Sequence, residues 1–228
     1  YQDVSGGAPK IKGAFNELKR EGVSIAVIDV LNDEHLHFLG EAVKEFTLIT
    51  GGSGIALGLP YHWKSGNASK EGMTADQLPE VSGKELVLSG SCSEMTRAQV
   101  DEFSKNNRAL KLNPIELAKD ASALNKAIDW VIKAEIGRPI LVYASAPPDT
   151  VKEIQQTLGQ DLASSTVENA MAKIASEAVK NGFRRIVVAG GETSGAVVSK
   201  LGINSILIGK EIDPGVPATV SVGTRSED

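Results

Sequence analysis

The chain has 228 residues, 41% hydrophobic and 23% charged, with a formal net charge of −5. That balance supports a packed core and excludes wholesale disorder. An acidic chain with 4% aromatics argues against a nucleic-acid binder, and no apolar run approaches the roughly 20 residues of a membrane span.

In chain order the pattern alternates. Ile11, Ala14, Phe15 and Leu18 share one face of a helix predicted over 9–20, and Gly22 follows just past its end. Residues 23–30 (VSIAVIDV) are a short apolar, β-branched run and predict a buried strand. Asn32 or Asp33 can cap a helix running to about 45. It carries His35 and His37, which point to different faces, cannot clamp one metal and are expected at the surface. Residues 46–50 (FTLIT) read as another strand, emptying into Gly51, Gly52, Ser53 and Gly54 and then a helix-like stretch over 55–59.

From about 61 to 84 the sequence turns to Gly, Ser, Asn, Pro and charge without periodicity, and a linker is expected there. Alternation then restarts. Strands are expected at 85–89, 109–112, 138–146 and 184–189, with a last one at 204–209. Helices are expected over 96–107 and 121–135. A short one is capped by Asp149, a longer one covers 164–181, and a last one ends at Gly202. The expected fold is α/β, with mainly parallel sheets covered by helices on both faces. It falls into two domains: residues 1–62, an incomplete first domain; 63–84, the linker; and 85–228, the second domain.

Three glycine and hydroxyl clusters stand between predicted strands and helices: 50–54 (TGGSG), 89–93 (SGSCS) and 190–195 (GGETSG). Ligands of parallel sheets sit at the strands' carboxyl ends, where a helix N-terminus offers free N–H groups and favours an anion. Glycines permit close backbone approach, and Ser or Thr adds donors without bulk. Several such loops at one sheet edge suit a phosphorylated ligand, although any one alone can be an ordinary turn. There is no P-loop motif. A dinucleotide fingerprint would need glycine where Leu57 stands, and a hydrolase elbow would need it where Ile55 stands. Cys92, the single cysteine, has no histidine in its half of the chain to act as a base. Glu192 is an acid inside a loop otherwise suited to anions. Beside a phosphate it makes sense as a Mg²⁺ ligand or a ribose partner, or else as a solvated loop carboxylate. The segment IGKEIDPGVP is a strand end followed by a proline-stiffened turn.

Taken together, SGSCSEMTRAQV, VVAGGETSGAVVSKLGI and IGKEIDPGVP resemble the nucleotide-binding C-terminal domain of the four-carbon acid sugar kinases. VIDVLNDEHLHFLGEA and LITGGSGIALGL resemble the tail of that family's substrate-binding domain. The resemblance implies an ATP- and Mg²⁺-dependent kinase of 3-oxotetronate, D-threonate or D-erythronate, phosphorylating the terminal C4 hydroxyl in a cleft between domains. It implies ATP contacts at Ser91, Ser93, Gly190, Gly191, Glu192, Thr193, Ser194 and Gly195, with Glu192 also the candidate Mg²⁺ ligand. Gly51, Gly52, Ser53 and Gly54 are then expected on the substrate side of the cleft. The family's substrate domain is longer at its N-terminus, so a truncated form is expected, and no general base can be assigned. The expected partners are ATP and the sugar acid, with no nucleic acid or membrane, a homodimer allowed and a cytoplasmic location. The alternative is a non-catalytic module that binds a nucleotide or organic acid; NAD(P) oxidoreduction is a third reading.

Overall fold

The computed structural model describes residues 1–61, 78–213 and 215–222. The chain divides into two compact units, Tyr1–Gln77 with Gly209–Ala218 and Leu78–Ile208 with Thr219–Asp228. Most of the stretch expected as a linker lies outside the described residues.

In the first unit the described helices are α1 (Gln2–Ser5), α2 (Ala8–Arg20), α3 (Asp33–Val43) and α4 (Ile55–Gly58). Pro9 stands in the first turn of α2, where a missing N–H costs nothing. Asn32 caps α3, its Oδ1 accepting from the His35 N–H at 3.0 Å. Ile11 of α2 and Leu39, Ala42 and Val43 of α3 close a small core with Val4 and Ala8.

Two expectations fail here. Residues 23–30 and 46–50 are not strands. Val23, Ile25 and Val27 are 42%, 83% and 94% exposed, while Ile28, Val30 and Ile49 rest against the helical core. A strand exists only where a neighbour takes up its N–H and C=O groups. Among the described residues no ladder partner serves either run, so β-branched composition has nothing to act on. The cluster at 50–54 therefore follows no strand, and the helix after it is a single turn. His35 is also buried rather than at the surface. It lies beneath α1, with Nε2 3.1 Å from Ser5 Oγ and Nδ1 accepting from the Leu31 N–H at 3.4 Å. His37 stays partly open, its ring edge-on to Tyr61.

The second unit runs β1 (Lys84–Ser89), α5 (Glu94–Ser104), β2 (Arg108–Lys111), α6 (Pro114–Lys119), α7 (Ala121–Ile132), β3 (Ile140–Tyr143), α8 (Pro148–Leu158), α9 (Gln160–Lys180), β4 (Phe183–Ala189) and α10 (Gly191–Lys200). The four strands form a parallel sheet in the order β2-β3-β1-β4. Leu86 lies opposite Ile140 and Ile186, and Leu88 opposite Val142 and Val188. These residues share one sheet face. They pack against Val131 of α7, Met171, Ile174 and Ala178 of α9, and Val197 of α10. Alanines at 170, 175 and 178 let α9 approach closely, and all three are almost fully buried. On the opposite face Leu141 is fully buried outside this cluster and α5 packs against β3, whereas Val187 of the edge strand is 61% exposed. This is the α/β architecture expected, a parallel sheet flanked by helices.

Further local differences have simple causes. The unpredicted α6 starts at Pro114 and is capped by Asn113, whose Oδ1 accepts from the Ile115 and Glu116 N–H groups. Asp149 is not the cap of α8 but sits in its first turn. Pro147 holds the cap position and Pro148 begins the helix, which suits a fixed φ. Past α10, β5 (Ser205–Asp213) pairs with β6 (Val216–Val222), so the strand expected to be last has a successor. Within the expected rigid turn, Pro217 belongs to β6 and Pro214 lies outside the described residues.

Glu177 of α9 lies 3.0 Å from Lys180 Nζ and 3.1 Å from Lys173 Nζ. Lys180 first, and Lys173 second, hold its carboxyl below the ordinary value of 4.5. A carboxyl depressed by folding stabilises the fold above the unfolded-state value and loses that contribution as pH falls through the lower, folded one. Wild type is therefore expected to lose stability below about pH 4.5 more steeply than Glu177→Gln, with the two converging at acid pH. Thermal melts across that range would show it, with a small difference at neutral pH because the lysines are exposed.

Candidate functional site

The carboxyl ends of β1, β3 and β4 lie side by side, and each opens into a loop rich in small residues. Backbone bonds tie the ends together. The Gly90 and Ser91 N–H groups both donate to Ala189 O, at 3.0 and 3.3 Å, and the Ala144 N–H donates to Ser89 O at 2.9 Å. Ser145 adds a buried side-chain tie: its Oγ donates to Ser91 O at 2.6 Å and lies 3.0 Å from Ser89 Oγ. The loop after β1 thus starts from a braced frame.

A serine and threonine network then shapes that loop. Ser93 is the N-cap of α5, its Oγ accepting from the Thr96 N–H at 3.1 Å and donating to Thr96 Oγ1 at 2.8 Å. Ser91 Oγ accepts from Thr96 Oγ1 at 3.1 Å and from the Ser93 N–H at 3.3 Å. A hydroxyl has two acceptor positions and one donor. Both acceptor positions of Ser91 are filled, so toward a ligand it can act as a donor, the polarity an anion needs. The Ser93 hydroxyl is spent on its cap. Arg97 Nη1 pins the Cys92 carbonyl at 2.8 Å.

The loop after β4 turns at Gly190, φ +122°, a conformation that L side chains rarely adopt. The helix begins at once: the Ser194 N–H donates to Gly190 O at 2.9 Å. The N–H groups that precede it point out of the helix end, where the dipole favours negative charge. Thr193 is buried against Gly90, and a Cβ on Gly90 would collide with Thr193 Oγ1. The two loops are therefore in direct contact, and glycine at 90 makes that contact feasible.

Beside them lies a cavity of about 110 Å³. Gly90, Cys92, Glu192 and Thr193 form the loop side of its wall. The rest comes from Pro114 and Ala144, from Val151, Ile154 and Gln155 of α8, and from Ala163, Ser164, Val167 and Glu168 at the start of α9. A single water needs roughly 10–15 Å³ of such space, so the cavity has room for a small organic group. Of the residues singled out from sequence, Glu192 and Thr193 reach the cavity wall, Ser91, Ser93 and Gly190 stand in the loops beside it, and Gly191, Ser194 and Gly195 lie in the first turns of α10. Gly51, Gly52, Ser53 and Gly54 belong to the other unit. Sequence reasoning missed Ser145, Thr96 and the α8 and α9 wall. Ser145 follows β3 as the serines follow β1, and that parallel was the available signal. Among the described residues no three His, Cys, Asp or Glu side chains group as a metal site, and no helix is long and apolar enough to cross a membrane.

A parallel sheet with anion-suited loops at its strand ends and a cavity beside them is the frame of a ligand-binding α/β domain. A family model described as "Nucleotide-binding C-terminal domain" matches residues 86–227, and the chain belongs to that family. It is 43% identical over 226 residues to a 3-oxo-tetronate kinase of Pseudomonas savastanoi pv. phaseolicola, and 41% identical over 225 residues to one of Burkholderia multivorans. Each match takes in 99% of this chain and 52% of the relative, so the chain spans about half the length of those kinases. Among solved structures, a Salmonella typhimurium LT2 protein matches with TM-score 0.76 and 31% identity, over 97% of this chain and 52% of that one. A Haemophilus influenzae protein matches with TM-score 0.65 and 36% identity, over 97% and 53%.

Proposed function

We propose that this chain carries the nucleotide half of an ATP-dependent kinase acting on a four-carbon sugar acid. The supporting observation is the joining of two features: near-complete coverage of this chain by 3-oxo-tetronate kinases, and two anion-suited loops in contact beside one cavity. In this reading residues 1–62 belong to the substrate-binding domain, 63–84 link the domains and 85–228 bind the nucleotide. The Ser91 hydroxyl, the loop around Ser93, the free backbone N–H groups from Gly190 to Thr193 and the hydroxyls of Thr193 and Ser194 hold the phosphates, with Gly195 leaving room beside them. Gly51 to Gly54 serve the sugar acid.

The reaction moves the γ-phosphoryl group to the C4 hydroxyl of 3-oxo-tetronate, D-threonate or D-erythronate. The O–P bond to ADP breaks, a new one forms to O4, and the O4 proton leaves. Such transfers rely on positioning and charge stabilisation more than covalent chemistry. Glu192 fits one carboxylate of a Mg²⁺ site, because Mg²⁺ is commonly held by one or two carboxylates with substrate phosphates and water. When bound, the ion would neutralise charge on the phosphates. The enzyme would act in the cytoplasm, and a homodimer is compatible with this reading.

Calorimetric titration with a non-hydrolysable ATP analogue and Mg²⁺ tests the nucleotide half, with NAD as control. Saturable binding of the analogue, silence with NAD, and loss of affinity by roughly tenfold or more in Glu192→Ala and Ser194→Ala are the expected results. A folded chain that binds NAD and not the analogue sinks the proposal.

A further inference from the structure

The loops account for only part of the cavity. A phosphate chain has no use for an apolar wall, yet Val151 and Ile154 of α8 and Ala163 and Val167 of α9 line the same space as Glu192 and Thr193. Three polar side chains stand in that wall, Gln155, Ser164 and Glu168, and the Ser164 hydroxyl, donor and acceptor at once, does not distinguish an amine from a carbonyl. Apolar surface with a few placed polar groups is how proteins hold flat heteroaromatic rings: the walls take the faces and the polar groups read the edge. We infer that the α8 and α9 wall of this cavity seats the nucleobase, and that Glu168 and Gln155 make it selective for adenine over guanine. This rests on the nucleotide reading above and adds the residues that choose the base.

The chemistry of the two side chains carries the selectivity. An ionised Glu offers only acceptors. It pairs with an exocyclic amine and repels an exocyclic carbonyl. Adenine presents an amine where guanine presents O6. Gln155 offers both a donor and an acceptor on one amide, the combination that pairs with adenine N6 and N7. The apolar residues contribute affinity without distinguishing bases. Glu168 is thus a specificity residue, and Ile154 a wall residue.

Three probes separate the contributions: an ATP analogue, a GTP analogue and inorganic tripolyphosphate, each with Mg²⁺, titrated into the full 228-residue chain. Wild type should prefer the ATP analogue over the GTP analogue by about tenfold or more. Ile154→Trp fills the cavity from α8, a helix that buries no residue fully, so the fold should tolerate it. It should weaken the ATP analogue by roughly 10- to 100-fold and leave tripolyphosphate unchanged. Glu168→Gln replaces an acceptor-only group with one that can donate to O6. It should narrow the ATP-to-GTP ratio by about tenfold without lowering tripolyphosphate affinity. Wild-type ATP-analogue affinity in Ile154→Trp, or equal loss of both probes there, overturns the base-pocket assignment. An unchanged ratio in Glu168→Gln overturns its selective role. If wild type binds tripolyphosphate and neither nucleotide better, the base pocket fails while the phosphate loops stand. If wild type binds none of the three, the nucleotide reading itself fails and takes this one with it.

Discussion

Gly90→Ala is expected to destabilise the protein by about 1–3 kcal/mol and to weaken nucleotide binding with it. The backbone at 90 is not in the left-handed region, so alanine meets no conformational barrier there. The obstacle is Thr193, whose Oγ1 occupies the space a methyl would need. Thr193 is buried at 4% exposure, and Ser89 behind Gly90 is fully buried, so neither loop can retreat cheaply. A second change in the same chain, Thr193→Ala, removes the colliding atom. The double variant should therefore recover most of the stability lost by Gly90→Ala, beyond what the two single changes predict by addition. Urea unfolding of all four forms measures the coupling. Strict additivity would show that the two loops do not meet in this way.

Ile174→Asp should prevent folding. Ile174 is completely buried in α9, where it packs between the sheet and its neighbouring helices. An ionised carboxylate there would lie in apolar surroundings, at a cost comparable to the entire roughly 5–15 kcal/mol by which such a domain is stable. The milder Ile174→Ala should fold and lose about 2–5 kcal/mol. Val187→Asp supplies the contrast: the position is 61% exposed on the other sheet face, and the change should cost about 0.5 kcal/mol or less. Far-ultraviolet circular dichroism and urea midpoints of the three variants would rank them. A folded Ile174→Asp would mean that α9 does not cover the sheet as described.

The same contrast explains what could be read from sequence. The runs that became β1, β3 and β4 share their apolar character with 23–30. Each of the former found parallel partners, and 23–30 found none among the described residues. Composition reports a capacity for strand, and pairing depends on residues far away in the sequence. Helices such as α2 and α3 were legible because their apolar spacing and caps are local. α6 escaped because six residues are too few to show a period, although the Asn113-Pro114 start was in plain view. At the site, Glu192 and Thr193 were legible from the glycine loop that carries them. The wall from α8 and α9 was not, because their lining residues read as ordinary amphipathic positions until the two helices are brought beside the strand ends. His35 looked exposed for a related reason: what buries it is α1, thirty residues earlier.

The placement of β1 has a consequence for how the second unit is made. It is the first strand of the sheet to be synthesised, yet it occupies an interior place between β3 and β4. Leu86 cannot meet Ile140 until α5, α6 and α7 have been produced, and cannot meet Ile186 until α8 and α9 have followed. Closing such long loops costs entropy before any ladder bond repays it, which makes folding slow relative to helical proteins of similar stability. During that interval the apolar run of β1 is a nascent edge with no mate, the state in which a chain is most open to capture by another copy or by a chaperone. The framing of the cavity comes last of all, since the loop after β4 must arrive to close against Gly90. Closure of the cavity's loop side and completion of the sheet are thus a single event, set by the same strand.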